Sequence, residues 1–272
     1  MGGFNRVRES RSGWYKVCVP EHLYFPALLR MIDERSAAFR AAVAAAPSLD
    51  ADVPSCPGWT LYDLANHLSE GDRFWAYIVL NTAPGDERPS KDGLAAPRER
   101  EALISWLADS TEQLLTALRE AGPDRGCWAW WEPLASPHTV AAVARRRVPE
   151  SLIHTYDAQL ASGSPQELPT TEAGDAIEEF LATVCTVTVP WPGEPATMDY
   201  HAAETGSWRQ TVDAAGSRFT RLTAAEAAES KPTAAIYGTA SEMALLMYMR
   251  IPADSLRVEG DADLLQQLQE WG

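Results

Sequence analysis

Apolar residues recur at helical spacing through most of the first 190 positions of the chain. Between Glu21 and Ala46, Leu23, Leu28, Met31, Ile32, Phe39 and Val43 predict an amphipathic helix in a stretch rich in good helix formers. "PSLDADVPSCPGWT" interrupts the pattern with prolines and a glycine and reads as a loop. Thr60 then serves as an N-cap, with Asp63 in the first turn favourable to the helix dipole. Leu61, Leu64, Leu68, Trp75 and Ile78 extend the second helix to Asn81. Loop chemistry in "TAPGDERPSKDGLAAP" precedes a third helix from Arg98 to Ala121. A Trp-rich link, "CWAWWEPLASP", leads to a fourth helix from His138 to Ala161, and "TEAGDAIEEFLATVCTV" predicts a fifth.

The texture changes after the proline-rich "VPWPGEP". "ATMDYHAAE", "SWRQTVDA", "SRFTRLT" and "TAAIYGT" are short, often alternating runs between turn residues, as strands are. "ASEMALLMYMR" and "DADLLQQLQEWG" return to helical spacing. The expected organisation is therefore two domains: a helical bundle over residues 21–190 and a smaller α+β domain over 191–272. Residues 1–20 read as an extension with little to pack, suited to disorder.

Composition narrows the function. With 46% hydrophobic and 22% charged residues the chain can bury a real core. A net charge of −15 argues against a phosphate-backbone binder and against docking on anionic membranes. The four cysteines, Cys18, Cys56, Cys127 and Cys185, form no C-x-x-C pair, which disfavours both a disulfide scaffold and a thiolate zinc site. No run reaches the ~20 apolar residues of a membrane span, and none of signal-peptide length follows the basic first residues. The expectation is a reduced, cytoplasmic protein.

Candidate chemistry lies in "RRRVPESLIHTYDAQL". Glu150 and His154, four apart, share one helix face. His67 belongs to another helix and, at about 100° per residue, falls in the arc of Leu64, Phe74, Trp75 and Ile78, facing the bundle core. An inward imidazole needs partners for its ring nitrogens. Were it to meet Glu150 and His154, two imidazoles and a carboxylate would form a catalytic zinc set with one position open. On spacing alone a solvated Glu–His pair and a satisfied core histidine are the commoner arrangements. Asp157 is most simply a surface charge, although it can instead fix the tautomer of a ligand ring. Arg145, Arg146 and Arg147 read mostly as a solvated run, and Cys56 as a buried turn residue without a basic or His neighbour. Trp128, Trp130 and Trp131 read as packing, with an aromatic wall over a substrate as the lesser alternative. His22, His138 and His201 lack comparable company.

"VPSCPGWTLYDLANHL" together with "RRRVPESLIHTYDAQLA" resembles the mycothiol-dependent maleylpyruvate isomerase family, and "TAAIYGTASEMALLMYMRIPADSLRVEGDADLLQQL" resembles the second domain of that family. The resemblance covers residues 22 to 272. It implies an α+β two-domain fold, a DinB-like up-down four-helix bundle followed by a small sterol-carrier-like α+β domain. It also implies His67, Glu150 and His154 as ligands of a divalent metal, typically zinc, with Asp157 as the trailing acid. Arg250, in "MYMRIP", matches a family arginine sent from the second domain toward the active site; its other explanation is a cation at a helix C-terminus. One departure is Pro149, where family members often carry His; proline either starts a helix or kinks one, which bears on the substrate more than on the metal.

The chemistry implied by the resemblance is a zinc-dependent enzyme that uses mycothiol as thiol cosubstrate. A thiol coordinated at the metal is held as the thiolate, which is the nucleophile. That sulfur either adds to an activated double bond and leaves, giving cis–trans isomerisation, or stays attached or exchanges, giving S-transfer. The partners are then a small-molecule thiol and an electrophilic substrate, with neither nucleic acid nor membrane. Two alternatives compete: a non-catalytic small-ligand-binding protein with a structural bundle, and a zinc hydrolase using metal-bound water with Glu70 or Asp157 as base. No Ser-His-Asp arrangement, phosphate loop or dinucleotide fingerprint supports other enzyme classes.

Overall fold

The computed structural model describes residues 24–90, 95–131 and 136–271. The expected N-terminal extension, His22 and Cys18 lie outside these residues.

Four long helices come first: α1 (Phe25–Ala45), α2 (Leu61–Asn81), α3 (Arg100–Ala121) and α4 (Val140–Ala161). Each start has a local cause. Pro26 lies in the first turn of α1, where its missing N–H costs nothing. Thr60 and Asp63 close a reciprocal capping box on α2, the hydroxyl receiving the Asp63 N–H and the carboxylate the Thr60 N–H. Glu99 caps α3 by accepting the N–H groups of Glu101 and Ala102. Thr139 caps α4. Thr60→Ala removes the box at the start of the helix that carries His67, and is expected to lower unfolding stability by about 0.5–2 kcal/mol, read from the urea midpoint at unchanged slope.

α4 is the central helix. It packs on α1, α2 and α5 (Thr170–Thr183), and its buried residues fall on every side, from Val143 and Val148 to Ser151, Thr155 and Asp157. A helix covered all round has no solvated face on which charge can be parked. Pro149 sits in its interior, so the sequence alternative of a helix start gives way to one continuous element. Lacking an N–H, Pro149 leaves the carbonyl of Arg145 without its helical donor.

The remaining elements form a five-stranded sheet with helices on it. β1 (Ala196–Ala202), β2 (Gly206–Asp213), β3 (Gly216–Leu222), β4 (Ala234–Gly238) and β5 (Arg257–Gly260) lie in the order β3-β2-β1-β4-β5. Only β1 and β4 run parallel; the other pairs are antiparallel. The four strands expected from sequence are present, and β5 and the short helix α6 (Ala224–Glu229) are added to them. α7 (Ala240–Met247) and α8 (Asp263–Trp271) bury Met243, Ala244, Leu264, Leu265 and Leu268 in one apolar cluster with Trp208, Met198 and Ile236 of the strands. α5 was expected to close the helical half; its Ala173, Ala176, Ile177 and Leu181 join this sheet cluster, together with Leu152 and Ile153 of α4. The two halves therefore meet through continuous packing along α4 and α5.

Candidate metal centre

The C-P-G-W loop and helix positions of α2 and α4 converge on the second half of α4, residues 150–157. Residues 53–59 wind into successive tight turns, Cys56 N–H to Val53 O and Trp59 N–H to Cys56 O, with Gly58 at φ 82°. This winding carries Ser55 and Cys56 onto Asp157 and lays Trp59 against His67, ring centroids 4.9 Å apart. His67, on the seventh residue of α2, meets His154 of α4 edge to face at 5.2 Å. Glu150, one turn before His154, brings Oε2 to 3.7 Å from its Nε2. Ligand-type atoms of His67, Glu150 and His154 thus lie within 4.8 Å of one another.

The surroundings orient these atoms. His154 Nδ1 is bonded to Asp157 Oδ2 at 2.9 Å, which turns Nε2 toward Glu150 and His67. Arg146 donates to Glu150 Oε1 at 2.6 Å and leaves Oε2 facing the histidines. Burial alone would raise the Glu150 carboxyl; Arg146, then His154, Arg147 and His67, hold it down to about 2. Both Asp157 and Glu150 are therefore anionic at neutral pH, as ligands and their supports must be.

Asp157 is fully buried, which corrects its expected place on the surface. It accepts from Ser55 (2.6 Å), from His154, and bidentately from Arg250, Nε at 3.0 Å and Nη2 at 2.6 Å. Burial opposes its charge, but the bonds from His154 and Arg250 hold its carboxyl well below the usual carboxylate range. Arg250 comes from the second domain through a turn that reverses α7. Arg250 N–H bonds Leu245 O and Met249 N–H bonds Leu246 O, the pairing of a Schellman ending, with Met249 at φ 60° where glycine is usual. Arg250 donates to Tyr248 O at the end of α7 and grips Asp157 beside His154.

The arginine run is not solvated, because α4 is enclosed. Arg145 pairs with Asp175, Arg146 with Glu150 and Glu179, and Arg147 with Asp72. Arg146 also donates to the Tyr248 hydroxyl at 3.1 Å, a second tie from the α7 turn to the ligand set. Cys56, expected without a basic neighbour, has Arg250 Nη2 at 3.6 Å. Burial first and the Asp157 charge second nevertheless raise its pKa, so it stays a thiol. A second cluster, Cys56, His154 and Asp157, has ligand atoms equally close. There a cation would compete with Arg250 for a carboxylate that is already fully bonded, and would need the thiol deprotonated; the His67–Glu150–His154 set needs no thiol ionised, and Glu150 Oε2 has its nearest guanidinium, Arg147 Nη1, at 3.8 Å. Trp128 and Trp131 are buried, whereas Trp130 is 49% exposed, with the Arg146 guanidinium 5.8 Å from its ring. Among these groups, Glu179 and Tyr248 were not marked by the sequence, since each acts through a contact with Arg146 made far along the chain.

With depressed folded pKa values, Asp157 and Glu150 contribute stability that is complete above the ordinary carboxylate range, about pH 4, and is lost as pH falls through the folded values. In chelator-treated protein, wild type and Asp157→Asn are expected to differ most at pH 7 and to converge as pH drops from 4 toward 2. Parallel melting curves across that range would contradict the assignment.

A helical region followed by a mixed α+β domain, with a carboxylate and two imidazoles gathered beside the domain junction, defines a two-domain protein with a candidate metal centre. The N-terminal domain model of the mycothiol maleylpyruvate isomerase family matches residues 29–159, and the C-terminal domain model of that family matches 173–267. The chain belongs to this family. Two solved structures share its fold: the mycothiol-dependent maleylpyruvate isomerase (13% identity) and a histidine-to-alanine mutant of that enzyme (12%). Each has a TM-score of 0.58 and covers 87% of this chain and 94% of its own. No curated protein matches the chain.

Proposed function

We propose that the chain is a divalent-metal-dependent enzyme, with zinc as the metal and mycothiol as thiol cosubstrate, that catalyses S-transfer or cis–trans isomerisation of a small electrophile. The observation that carries this is the convergence of His67, Glu150 and His154 from two helices, with the far nitrogen of His154 already held by Asp157. The donor set fits the group: two imidazoles and one carboxylate suit zinc, and tetrahedral bonds of about 2.1 Å need donors roughly 3.4 Å apart, a small contraction from the 3.7 Å between Glu150 and His154.

A zinc-class cation held there supplies the Lewis acidity that keeps a bound thiol ionised near neutral pH. The chain does the rest. Asp157 fixes the tautomer of His154, Arg146 fixes the direction of Glu150, and Trp59 covers one side of His67. Arg250 acts as a positioning residue by holding Asp157. Cys56 remains protonated and leaves the nucleophile's part to the cosubstrate. No helix among the described residues is long and apolar enough to cross a membrane, and we take the enzyme to work in the cytoplasm, where a low-molecular-weight thiol stays reduced.

The test is turnover of maleylpyruvate and of a panel of mycothiol conjugates, with and without thiol and chelator. Chelator-sensitive, thiol-dependent activity is expected. Turnover of the conjugates without maleylpyruvate isomerisation would select the transferase; turnover without added thiol would overturn the proposal in favour of a hydrolase.

A further inference from the structure

The α+β half contains a cavity of about 180 Å³ that none of the chemistry above uses. Phe180 and Val184 from the end of α5, Leu246 and Met247 of α7, and Leu265 and Leu268 of α8 supply its apolar wall. Tyr200 and Gln210 of the sheet supply the polar part. Protein interiors rarely leave voids larger than a water molecule, so an opening of this size within a well-packed cluster calls for an occupant.

The lining says what that occupant is. No charged side chain borders the cavity. Its polar groups satisfy one another: the Tyr200 hydroxyl donates to Gln210 Oε1 at 2.8 Å, and Gln210 Nε2 donates to Ser217 Oγ at 2.9 Å. A buried water needs two to four polar partners, and the polar side chains of this wall away from its rim, Tyr200 and Gln210, are already bonded to each other. Cys185, also on the wall, has its thiol pushed up to about 12 by burial and is uncharged. A volume of this kind is close to the ~150 Å³ engineered cavity that takes benzene and below the ~300 Å³ at which drug-sized pockets begin. Sterols and long acyl chains are too large for it. At the rim stand Met249, 72% exposed, with Gln269 and Trp271, so the entrance borders the turn that delivers Arg250.

We propose that this cavity is a second binding site, which takes one uncharged apolar molecule of about the size of a benzene or toluene ring. The proposal rests on neither the metal nor the thiol. Its wall does touch the candidate centre's support, because the Phe180 ring meets that of Tyr248 at 4.9 Å.

Toluene titrated calorimetrically into the full chain is expected to bind saturably at one site per chain, while benzoate, the same ring carrying a charge, is expected not to bind. Val184→Phe fills the space and is expected to lose toluene binding with its melting transition intact. A second measurement does not depend on that variant folding. Labelling of Cys185 by a small uncharged thiosulfonate is expected to slow in proportion to toluene occupancy, with Cys56 labelling unchanged. Absence of saturable binding, equal binding of benzoate, or undiminished Cys185 labelling at saturating toluene would each overturn the proposal.

Discussion

The wild-type chain is expected to bind about one divalent cation per molecule, and His154→Ala is expected to abolish that binding. Catalytic zinc sites keep three protein ligands, and the substitution leaves two, on different helices. The loss should exceed the 10–100-fold typical of outer supports, and His67→Ala and Glu150→Gln should share it. Asp157→Asn should fall within that 10–100-fold range, because it frees the tautomer of His154 without removing a donor. Elemental analysis after dialysis and competition with a chromophoric chelator read both effects. Thermal melts in chelator separate lost affinity from lost fold, since His154 lies at the site and not in the apolar core. Retention of the cation in His67→Ala and His154→Ala alike would place the metal elsewhere.

The second large effect concerns stability. Arg147 and Asp72 are each 3% exposed and bonded at 2.6 Å, with the Thr111 hydroxyl on the other Asp72 oxygen. Gly71 makes room for the guanidinium; a Cβ there would stand 3.2 Å from Arg147 Nη1. Arg147→Met leaves Asp72 with a neutral hydroxyl as partner, and breaking a buried pair from one side costs about 3–5 kcal/mol. Burial already raises the Asp72 carboxyl, and without Arg147 the rise grows. A raised folded pKa means that the native state gains a proton the unfolded chain lacks, so the deficit should shrink as pH falls. Arg147→Met with Asp72→Leu should recover most of the loss, because a well-packed apolar pair often matches a buried ionic one. Urea midpoints at pH 7 and pH 5 decide it: a single mutant within about 1 kcal/mol of wild type would show that the pair is solvated.

The two effects draw on different parts of the sequence. The candidate set was named by the family resemblance; spacing by itself put Glu150 and His154 one helical turn apart and His67 on the apolar arc of its own helix, and left a solvated pair and a core histidine open. The supports were not legible. Arg146 and Arg147 follow one another in a charged run, and only the covering of α4 by α1, α2 and α5 turns that run inward. Strand β5 escaped notice for the opposite reason: four residues at a sheet edge, mostly exposed, carry almost no alternation.

What the sequence by itself determined was the order of the long helices and of the first four strands, the capped start of α2, and that Glu150 and His154 share one helix face, because helical periodicity and capping are properties of neighbouring residues. Tertiary structure alone decided that Asp157 is buried behind His154, that Arg250 crosses from the second domain to hold it, and that α5 lends its apolar face to the sheet. Those outcomes depend on which surfaces exclude water together, and residues 93 positions apart acquire a common environment only when the chain closes on itself.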